Sequence, residues 1–186
     1  TNFNVMVGYQ AGEHADGVGT PATNNVYVGY QSGRYVDDGQ SNVAVGYLSL
    51  YSNSAEGNDA SQNVAIGRES LKSLTDGDNN VAVGHESLQA LTNSTYNVGL
   101  GKSTLKYLTT GQSNIAIGYN ADALNQIGSN NVAIGHESML GASGQSHNSN
   151  TAVGHQSLKS IQLLLEIQQS DTEQETQLQQ VVTTLS

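Results

Sequence analysis

A Gly-Lys-Ser-Thr run is the first place in this sequence where residue types and spacing suggest chemistry. The segment GLGKST, residues 99–104, is similar to the end of a phosphate-binding loop. Such a loop also needs a Gly five positions before Gly101, where this chain has Tyr96. Eight related segments elsewhere in the chain lack the Lys. We therefore predict that the chain does not bind a nucleotide.

A second candidate is the residue that follows a recurring Gly. We call this set the ring column; its members are Tyr9, Tyr30, Tyr47, Arg68, His85, Lys102, Tyr119, His136 and His155. We interpret it first as a semi-exposed ladder of stacked side chains. The alternative is a stripe that contacts a carbohydrate or another receptor, because Tyr offers a ring face and a hydroxyl. In a trimer, three copies of one His could also bind a metal ion on the axis; His155 is the candidate for that site because it lies nearest the predicted stalk.

Acidic residues are the third candidate. They occur in turns at residues 37–38, 58–59 and 76–78, where clustered oxygens could bind Ca²⁺. None of these turns has a full ligand set, so we interpret them as solvated turns. Glu69, Glu86 and Glu137 share one repeat position and indicate a solvated surface rather than an acid/base pair. We predict no catalytic residue, no resident metal and no cofactor, and the chain is not expected to be an enzyme.

These candidates all sit on a repeat that occurs nine times. The segment NVAVGHESL has eight close relatives, and the Gly that ends each NVAVG-like unit is here called the marker glycine. The marker glycines are Gly8, Gly29, Gly46, Gly67, Gly84, Gly101, Gly118, Gly135 and Gly154, separated by 21, 17, 21, 17, 17, 17, 17 and 19 residues. A fixed short period is typical of a solenoid. The sequence therefore predicts an all-β parallel β-solenoid of about nine coils, on the order of 40 Å long.

Each part of the repeat has a physical interpretation. The alternation in VAV predicts a strand, with Val81 and Val83 on one face and Ala82 on the other. The Asn before each strand can bond neighbouring backbone and form a stacked amide ladder. The marker glycine indicates a bend with positive φ or a close backbone approach. Leucines three apart, such as Leu88 and Leu91, suggest one short helical turn with an apolar side.

The two faces of the strand lead to a prediction about assembly. We expect the branched face to fill the core of the chain itself, and the small column opposite to contact another copy of the chain. The predicted interface column is Ala44, Ala65, Ala82, Gly99, Ala116, Ala133 and Ala152. The same column starts with two bulky residues, Met6 and Tyr27, so we expect wider packing there.

The last segment has a different character. Residues 159–186 lack Gly and are rich in Gln, Leu and Glu, whereas residues 1–158 hold the repeats. A seam with alternating steps of three and four residues predicts a coiled-coil stalk. Its apolar members complete the predicted interface: Leu164, Ile167, Leu178, Val181 and Leu185. The alternative is a surface helix that packs back on the solenoid.

Composition excludes some functions. The net charge is −10 with only six Lys and Arg, and no basic run is present, so nucleic-acid binding is not expected. No apolar run approaches the length of a membrane span, so we expect no membrane insertion by this segment. The chain begins within a repeat, which suggests a fragment of a longer protein.

The repeats also resemble known proteins. Units such as NVAIG followed by a coiled coil resemble the heads of trimeric autotransporter adhesins of the Yersinia adhesin type. The longer unit NVAVGHESLQALTNSTY is similar to repeats of phage tail fibres. The resemblance covers residues 1–158 and implies a left-handed parallel β-roll that forms a homotrimer. These residues depart from the adhesin pattern in their longer period and contain no membrane anchor, and an anchor could lie outside this segment.

From the repeat and the resemblance we expect an adhesive fibre segment. It would belong to a phage tail fibre or spike on a virion and bind a host-cell surface receptor, with carbohydrate among the candidates. The first alternative is the head of a trimeric autotransporter adhesin at the bacterial cell surface, on the outer membrane. A polysaccharide depolymerase built on a β-solenoid is less favoured, because the acids are locked to the repeat.

Overall fold

The computed structural model describes residues 3–15, 22–52, 58–141 and 146–160. Nine three-residue strands follow one another along this part of the chain. Their bounds are β1 Val5–Val7, β2 Val26–Val28, β3 Val43–Val45, β4 Val64–Ile66, β5 Val81–Val83, β6 Val98–Leu100, β7 Ile115–Ile117, β8 Val132–Ile134 and β9 Thr151–Val153. The coiled coil predicted for residues 159–186 lies almost entirely outside the described residues.

All nine strands form a single parallel sheet in sequence order. Each strand pairs with the next at identical repeat positions; for example, Ala65 lies opposite Ala82 and Val64 opposite Val81. The chain is therefore an all-parallel β-solenoid, and nine successive strands make about eight full turns. This confirms the fold that the repeat predicts. The trimer, the hand of the coil and the stalk stay predictions.

The marker glycines behave as the sequence predicts. Their φ values lie between 125° and 140°, a range that L side chains rarely adopt. A Cβ added to Gly84 would overlap the carbonyl oxygen of Gly101 in the next coil. Both the positive φ and the close approach therefore require Gly at this bend.

The asparagines form the predicted ladder through the whole solenoid. The backbone N–H of Asn97 donates to Oδ1 of Asn80 at 3.0 Å, and Nδ2 of Asn97 donates to the same oxygen at 3.2 Å. Nδ2 of Asn97 also donates to the carbonyl oxygen of Gly111 in the following coil, at 2.9 Å. Because these side chains are buried, each Asn must have partners for its amide, and the ladder supplies them.

The segment after each marker glycine is not helical. Glu86 and Leu88 have φ values of 58° and 51°, which a right-handed helix does not allow. Their N–H groups donate to other coils: Glu86 to the carbonyl of Arg68 and Leu88 to that of Thr104, both at 2.9 Å. The predicted apolar side is correct, because Leu88 and Leu91 are fully buried. The predicted helical turn is not formed: single bonds such as Leu91 N–H to the Leu88 carbonyl at 3.3 Å close a turn within the segment, but the positive φ values and the bonds to neighbouring coils replace a helix.

The core has the opposite orientation to the one expected from the sequence. The small residues of the strands lie inside the coil, and Ala82 is fully buried, whereas Val81 and Val83 are half-exposed. A coil of this length is thin, and Leu88 and Leu91 from the opposite wall occupy its interior. Only Ala or Gly fits against them.

The predicted interface column therefore needs correction. All its members are buried within the single chain: Ala44, Ala65, Ala82, Gly99, Ala116, Ala133 and Ala152. A side chain without exposed surface cannot contact a second chain, so the assignment of this column to a trimer interface is wrong. The remaining candidates, Leu164, Ile167, Leu178, Val181 and Leu185, lie outside the described residues.

Packing between the two walls is adjusted coil by coil. The bulky Tyr27 is fully buried in the small column, and the facing position is Gly33, where an added Cβ would lie 2.6 Å from the Tyr ring. Met6 faces Gly12 in the same way. The wider packing expected at the start is therefore replaced by a large-for-small exchange across the core.

Candidate functional site

The ring column is a stacked ladder at the bend that follows the strands. Its first tract runs over four coils: Tyr9 stacks on Tyr30 and Tyr30 on Tyr47, with ring centroids 5.3 Å apart in both pairs. The guanidinium of Arg68 then lies 5.5 Å from the centroid of the Tyr47 ring. These distances are close to the spacing of neighbouring strands, so the rings stack because the coils do.

The second tract lies toward the C-terminal end. The ammonium of Lys102 is 5.8 Å from the centroid of the Tyr119 ring, and Tyr119 stacks on His136 at 5.2 Å. His136 stacks on His155 at 5.1 Å. The interpretation of the column as a semi-exposed stacked ladder is thus confirmed for both tracts. For His155 the structure shows a stacked, exposed ring in a single chain, and the shared metal site stays untested.

The ladder is interrupted once, at His85. In the described part of the chain, the His85 ring stacks on no other ring. Its neighbours in the column are Arg68, whose guanidinium lies over the Tyr47 ring, and Lys102, whose ammonium lies over the Tyr119 ring. Nε2 of His85 lies 3.9 Å from Oε1 of Glu86. The middle of the column, here called the notch, is therefore a half-exposed imidazole in the coil between two cationic side chains.

Stacking limits what the tyrosines can bind. A sugar packs on an aromatic ring through the ring face, but both faces of Tyr30 are covered by Tyr9 and Tyr47. The exposed parts of these tyrosines are the ring edges and hydroxyl groups, which can donate and accept hydrogen bonds. Polar contacts along the column are therefore better supported than ring–sugar stacking.

Beside the ring column, three glutamates are held in ion pairs. Lys106 Nζ lies 2.9 Å from Glu86 Oε2, Lys72 Nζ 3.3 Å from Glu69 Oε2, and Lys159 Nζ 2.6 Å from an oxygen of Glu137. The hydrogen bond from Lys106 lowers the pKa of the Glu86 carboxyl below its usual range. The sequence suggests that these carboxylates face solvent, whereas in the structure each of them forms an ion pair with a Lys. An ionised carboxylate paired with Lys is poorly suited to donate a proton.

The three acidic turns come together at the other bend, before the strands. Burial raises the pKa of the Asp59 carboxyl, and the neighbouring charges of Asp37, Asp38, Asp76 and Asp78 raise it further. In the described ranges, no group of three or more His, Cys, Asp or Glu side chains could hold a metal ion. The turns are therefore grouped in space, but this grouping carries no cation site.

One polar cluster in the core was missed by sequence reasoning. Asp122 and Asn125 occupy core positions that Leu88 and Leu91 fill two coils earlier. Nε2 of His147 lies 2.7 Å from Oδ1 of Asp122, and Asn125 Nδ2 donates to Oδ2 at 3.1 Å. Burial raises the pKa of the Asp122 carboxyl, although the hydrogen bond from His147 opposes this. The signal in the sequence is the loss of two leucines in one repeat.

The branched face of the sheet is an apolar surface that is partly exposed. Residues on either side of each buried strand centre point outward, and in the middle of the solenoid Ile66 and Ile115 are both 39 % exposed and Ile117 is 36 % exposed. The face continues with one residue pair per coil, apolar in β1 to β8, and ends at β9 with Thr151 and Val153. A contiguous apolar patch of this kind is typical of an interaction surface.

Comparisons with known proteins leave the chain without an assigned family. It matches no protein-family model, no curated protein and no solved structure. Among the described residues, no helix is long and apolar enough to cross a membrane.

Proposed function

We propose that this chain is a segment of a homotrimeric adhesive fibre, part of a phage tail fibre or spike that projects from a virion and contacts a host-cell surface receptor. The observation that carries the proposal is the branched face. It is apolar, partly exposed and continuous along the solenoid, and it is repeated at the period of the chain itself.

The period of this face argues for a partner of the same kind. Its side chains recur once per coil, at a strand spacing of about 4.8 Å. A partner that packs against every coil must have the same axial repeat, and another copy of this chain has it. Three copies can bury their branched faces around one axis, which leaves the ring columns on the outside of the assembly as surface for a receptor.

The resemblance of the repeats supports the fibre in two settings. The 17-residue unit favours the phage tail fibre, and the NVAIG core also fits the head of a bacterial trimeric autotransporter adhesin. A catalytic role is not proposed. The glutamates nearest the exposed ring column are paired with lysines, so they do not form the free carboxylate pair that a depolymerase needs.

The test is the native mass of the chain by sedimentation velocity and light scattering. We expect a mass near three chains and an elongated shape. Val83→Glu combined with Ile117→Glu places charges on the branched face, and this variant is expected to sediment as a monomer because an interface does not tolerate buried unpaired carboxylates.

A matched control adds the same two charges elsewhere. Gln62→Glu combined with Gln112→Glu changes two exposed side chains, and it should leave the mass near three chains. A monomeric parent chain would refute the fibre proposal. A trimer that survives the Val83 and Ile117 substitutions would show that the branched face is not the interface.

A further inference from the structure

We propose that Arg68, His85 and Lys102 form a binding site for the carboxylate or sulfate groups of an anionic glycan. The inference rests on the proposed function, because it names the chemical class of the receptor. Its starting point is the one interruption of the ring column, which occurs where three successive coils carry basic residues instead of tyrosines.

The geometry of the notch suits an anionic group. Arg68 and Lys102 are attached two coils apart, at about twice the strand spacing, or roughly 9.6 Å. The guanidinium of Arg68 lies over Tyr47 and the ammonium of Lys102 over Tyr119. The His85 ring lies in the coil between them, stacks on no other ring in the described residues, and is 3.9 Å from Oε1 of Glu86. An oxyanion bound at His85 would lie one coil from Arg68 and one coil from Lys102, which is within the reach of both side chains.

Neither Arg68 nor Lys102 has to give up a strong ion pair in order to bind an anion. Lys102 forms no ion pair with any residue that the structure describes. Arg68 contacts Glu69 at 3.1 Å, but its side chain is 62 % exposed, and an exposed pair contributes little. Glu69 also accepts hydrogen bonds from Lys72 at 3.3 Å and Gln89 at 2.7 Å, so it stays paired when Arg68 leaves.

The local charge is opposite to that of the whole chain. Four of the six Lys and Arg residues lie beside the notch, and two carboxylates accompany them, so four minus two gives +2 where the chain carries −10. The members are Arg68, Lys72, Lys102, Lys106, Glu69 and Glu86. The acidic turns lie at the opposite end of the strands. Salt screens charges beyond about 8–10 Å, so an anion at the notch senses mainly this local excess.

The surroundings of the notch favour a saccharide over a simple anion. Tyr47 and Tyr119 flank it, and they are 46 % and 43 % exposed. Their hydroxyl groups can bond sugar hydroxyls on either side of the anionic group. A glycan that lies along the solenoid would thus meet a charged centre between two neutral, hydrogen-bonding flanks.

The test is calorimetric titration of the full chain with three octasaccharides at low ionic strength. The probes are a heparin-derived octasaccharide with sulfates and carboxylates, a hyaluronan octasaccharide with carboxylates only, and neutral maltooctaose. We expect binding of one or both anionic probes, weakened by added salt, and none of maltooctaose. Binding of heparin alone would identify sulfate as the recognised group.

Two variants locate the site. Arg68→Gln combined with Lys102→Gln should weaken binding by about tenfold or more. His85→Tyr keeps both cations but fills the notch with a residue that the column uses in four other coils, and it should also weaken binding. Arg34→Gln combined with Lys159→Gln is the matched control, because it removes two cations from distant coils; its affinity should stay within about twofold.

Three results would overturn the inference: no binding of either anionic probe, equal binding of maltooctaose, or equal weakening by the two double variants. The mass of each sample separates this inference from the proposed function. A trimer that binds no anionic glycan overturns only the notch, whereas a monomer that binds through Arg68 and Lys102 overturns only the fibre.

Discussion

The coil that begins at Gly84 fills its interior with Leu88 and Leu91, whereas the coil that begins at Gly118 places Asp122 and Asn125 at the same two positions. All four side chains are buried. In the leucine coil these two positions contribute only apolar side chains to the core. In the polar coil the carboxylate is satisfied by His147 and Asn125.

From this difference we infer that the solenoid accepts buried polar side chains in its core only where their hydrogen-bond partners are also present. The Asp122 carboxylate has two side-chain partners, and Asn125 Oδ1 accepts the N–H of Gly128 at 2.8 Å. In the described part of the chain, Nδ1 of His147 is the atom of this cluster left without a hydrogen bond. A polar cluster whose hydrogen bonds are nearly all formed can replace two buried leucines, whereas we expect that a single polar residue without partners cannot.

The largest expected effect comes from placing the carboxylate in the leucine coil alone. Leu88→Asp leaves a buried charge without His or Asn partners, and we expect a loss of about 5 kcal/mol or more in the free energy of unfolding. Urea denaturation followed by circular dichroism measures it. Leu88→Met is the control and should cost less than about 1.5 kcal/mol. If Leu88→Asp lowers the free energy of unfolding no more than the control does, the polar coil does not depend on its hydrogen-bond partners in the way proposed here.

A smaller effect is expected from removing one partner in the polar coil. His147→Ala leaves Asp122 buried without its closest contact, at a cost of about 3 kcal/mol near pH 7. His155→Ala removes an exposed ring and should change the free energy of unfolding by less than about 0.5–1 kcal/mol.

The His147→Ala loss should depend on pH with a defined sign. Burial raises the pKa of the Asp122 carboxyl, so its protonated form is favoured by folding. The stability linked to this group is present below its unfolded pKa and is lost as the pH rises through the folded value. The variant also lacks the His147 hydrogen bond that lowers this pKa. The gap between the variant and the parent chain should therefore be smaller near pH 4 than near pH 7, and a larger gap at the lower pH would contradict this assignment.

The smallest effect, with the opposite sign, is expected when the whole polar set is replaced. Combining Asp122→Leu, Asn125→Leu and His147→Leu gives the polar coil the apolar chemistry of its neighbours. Replacing a buried pair by well-packed apolar residues is often neutral or stabilising by about 1–4 kcal/mol. Thermal and urea unfolding would measure the change. A strong destabilisation would mean that the polar set fits this coil better than leucines do.

Much of the solenoid could be predicted from the residues alone. The period, the parallel strands, the Asn ladder and the bend at each marker glycine follow from Asn and Gly, whose special roles do not depend on distant contacts. The stacked ring column also followed, because identical positions in successive coils must lie above one another.

The orientation of the core could not be obtained in the same way. In VAV both faces of the strand are apolar, so the alternation says that the faces differ but not which one is buried. The deciding contact comes from Leu88 and Leu91 on the opposite wall. Their inward direction depends on positive φ values at Glu86 and Leu88, which leucine spacing does not reveal.

The sequence also predicts only part of the notch at His85 and of the polar cluster at Asp122. The three basic residues at the break, Arg68, His85 and Lys102, are visible in the sequence, but the placement of Arg68 over Tyr47 and of Lys102 over Tyr119 is a matter of side-chain geometry. In the polar coil, Asp122 and Asn125 are visible as departures from the repeat, but their partner His147 lies 25 residues from Asp122. Nothing in the local pattern connects the two.

The Asn ladder has a consequence for how such a gene can change. Between neighbouring coils, the backbone N–H of one Asn donates to Oδ1 of the Asn in the preceding coil. The junction between two coils is therefore the same along the ladder, and no coil needs a partner of its own type. Duplication or deletion of one 17-residue unit therefore recreates the junction it interrupts. Among the coils with leucine interiors, the number of coils can therefore change by whole 17-residue units, and each unit changes the length of the solenoid by about 4.8 Å.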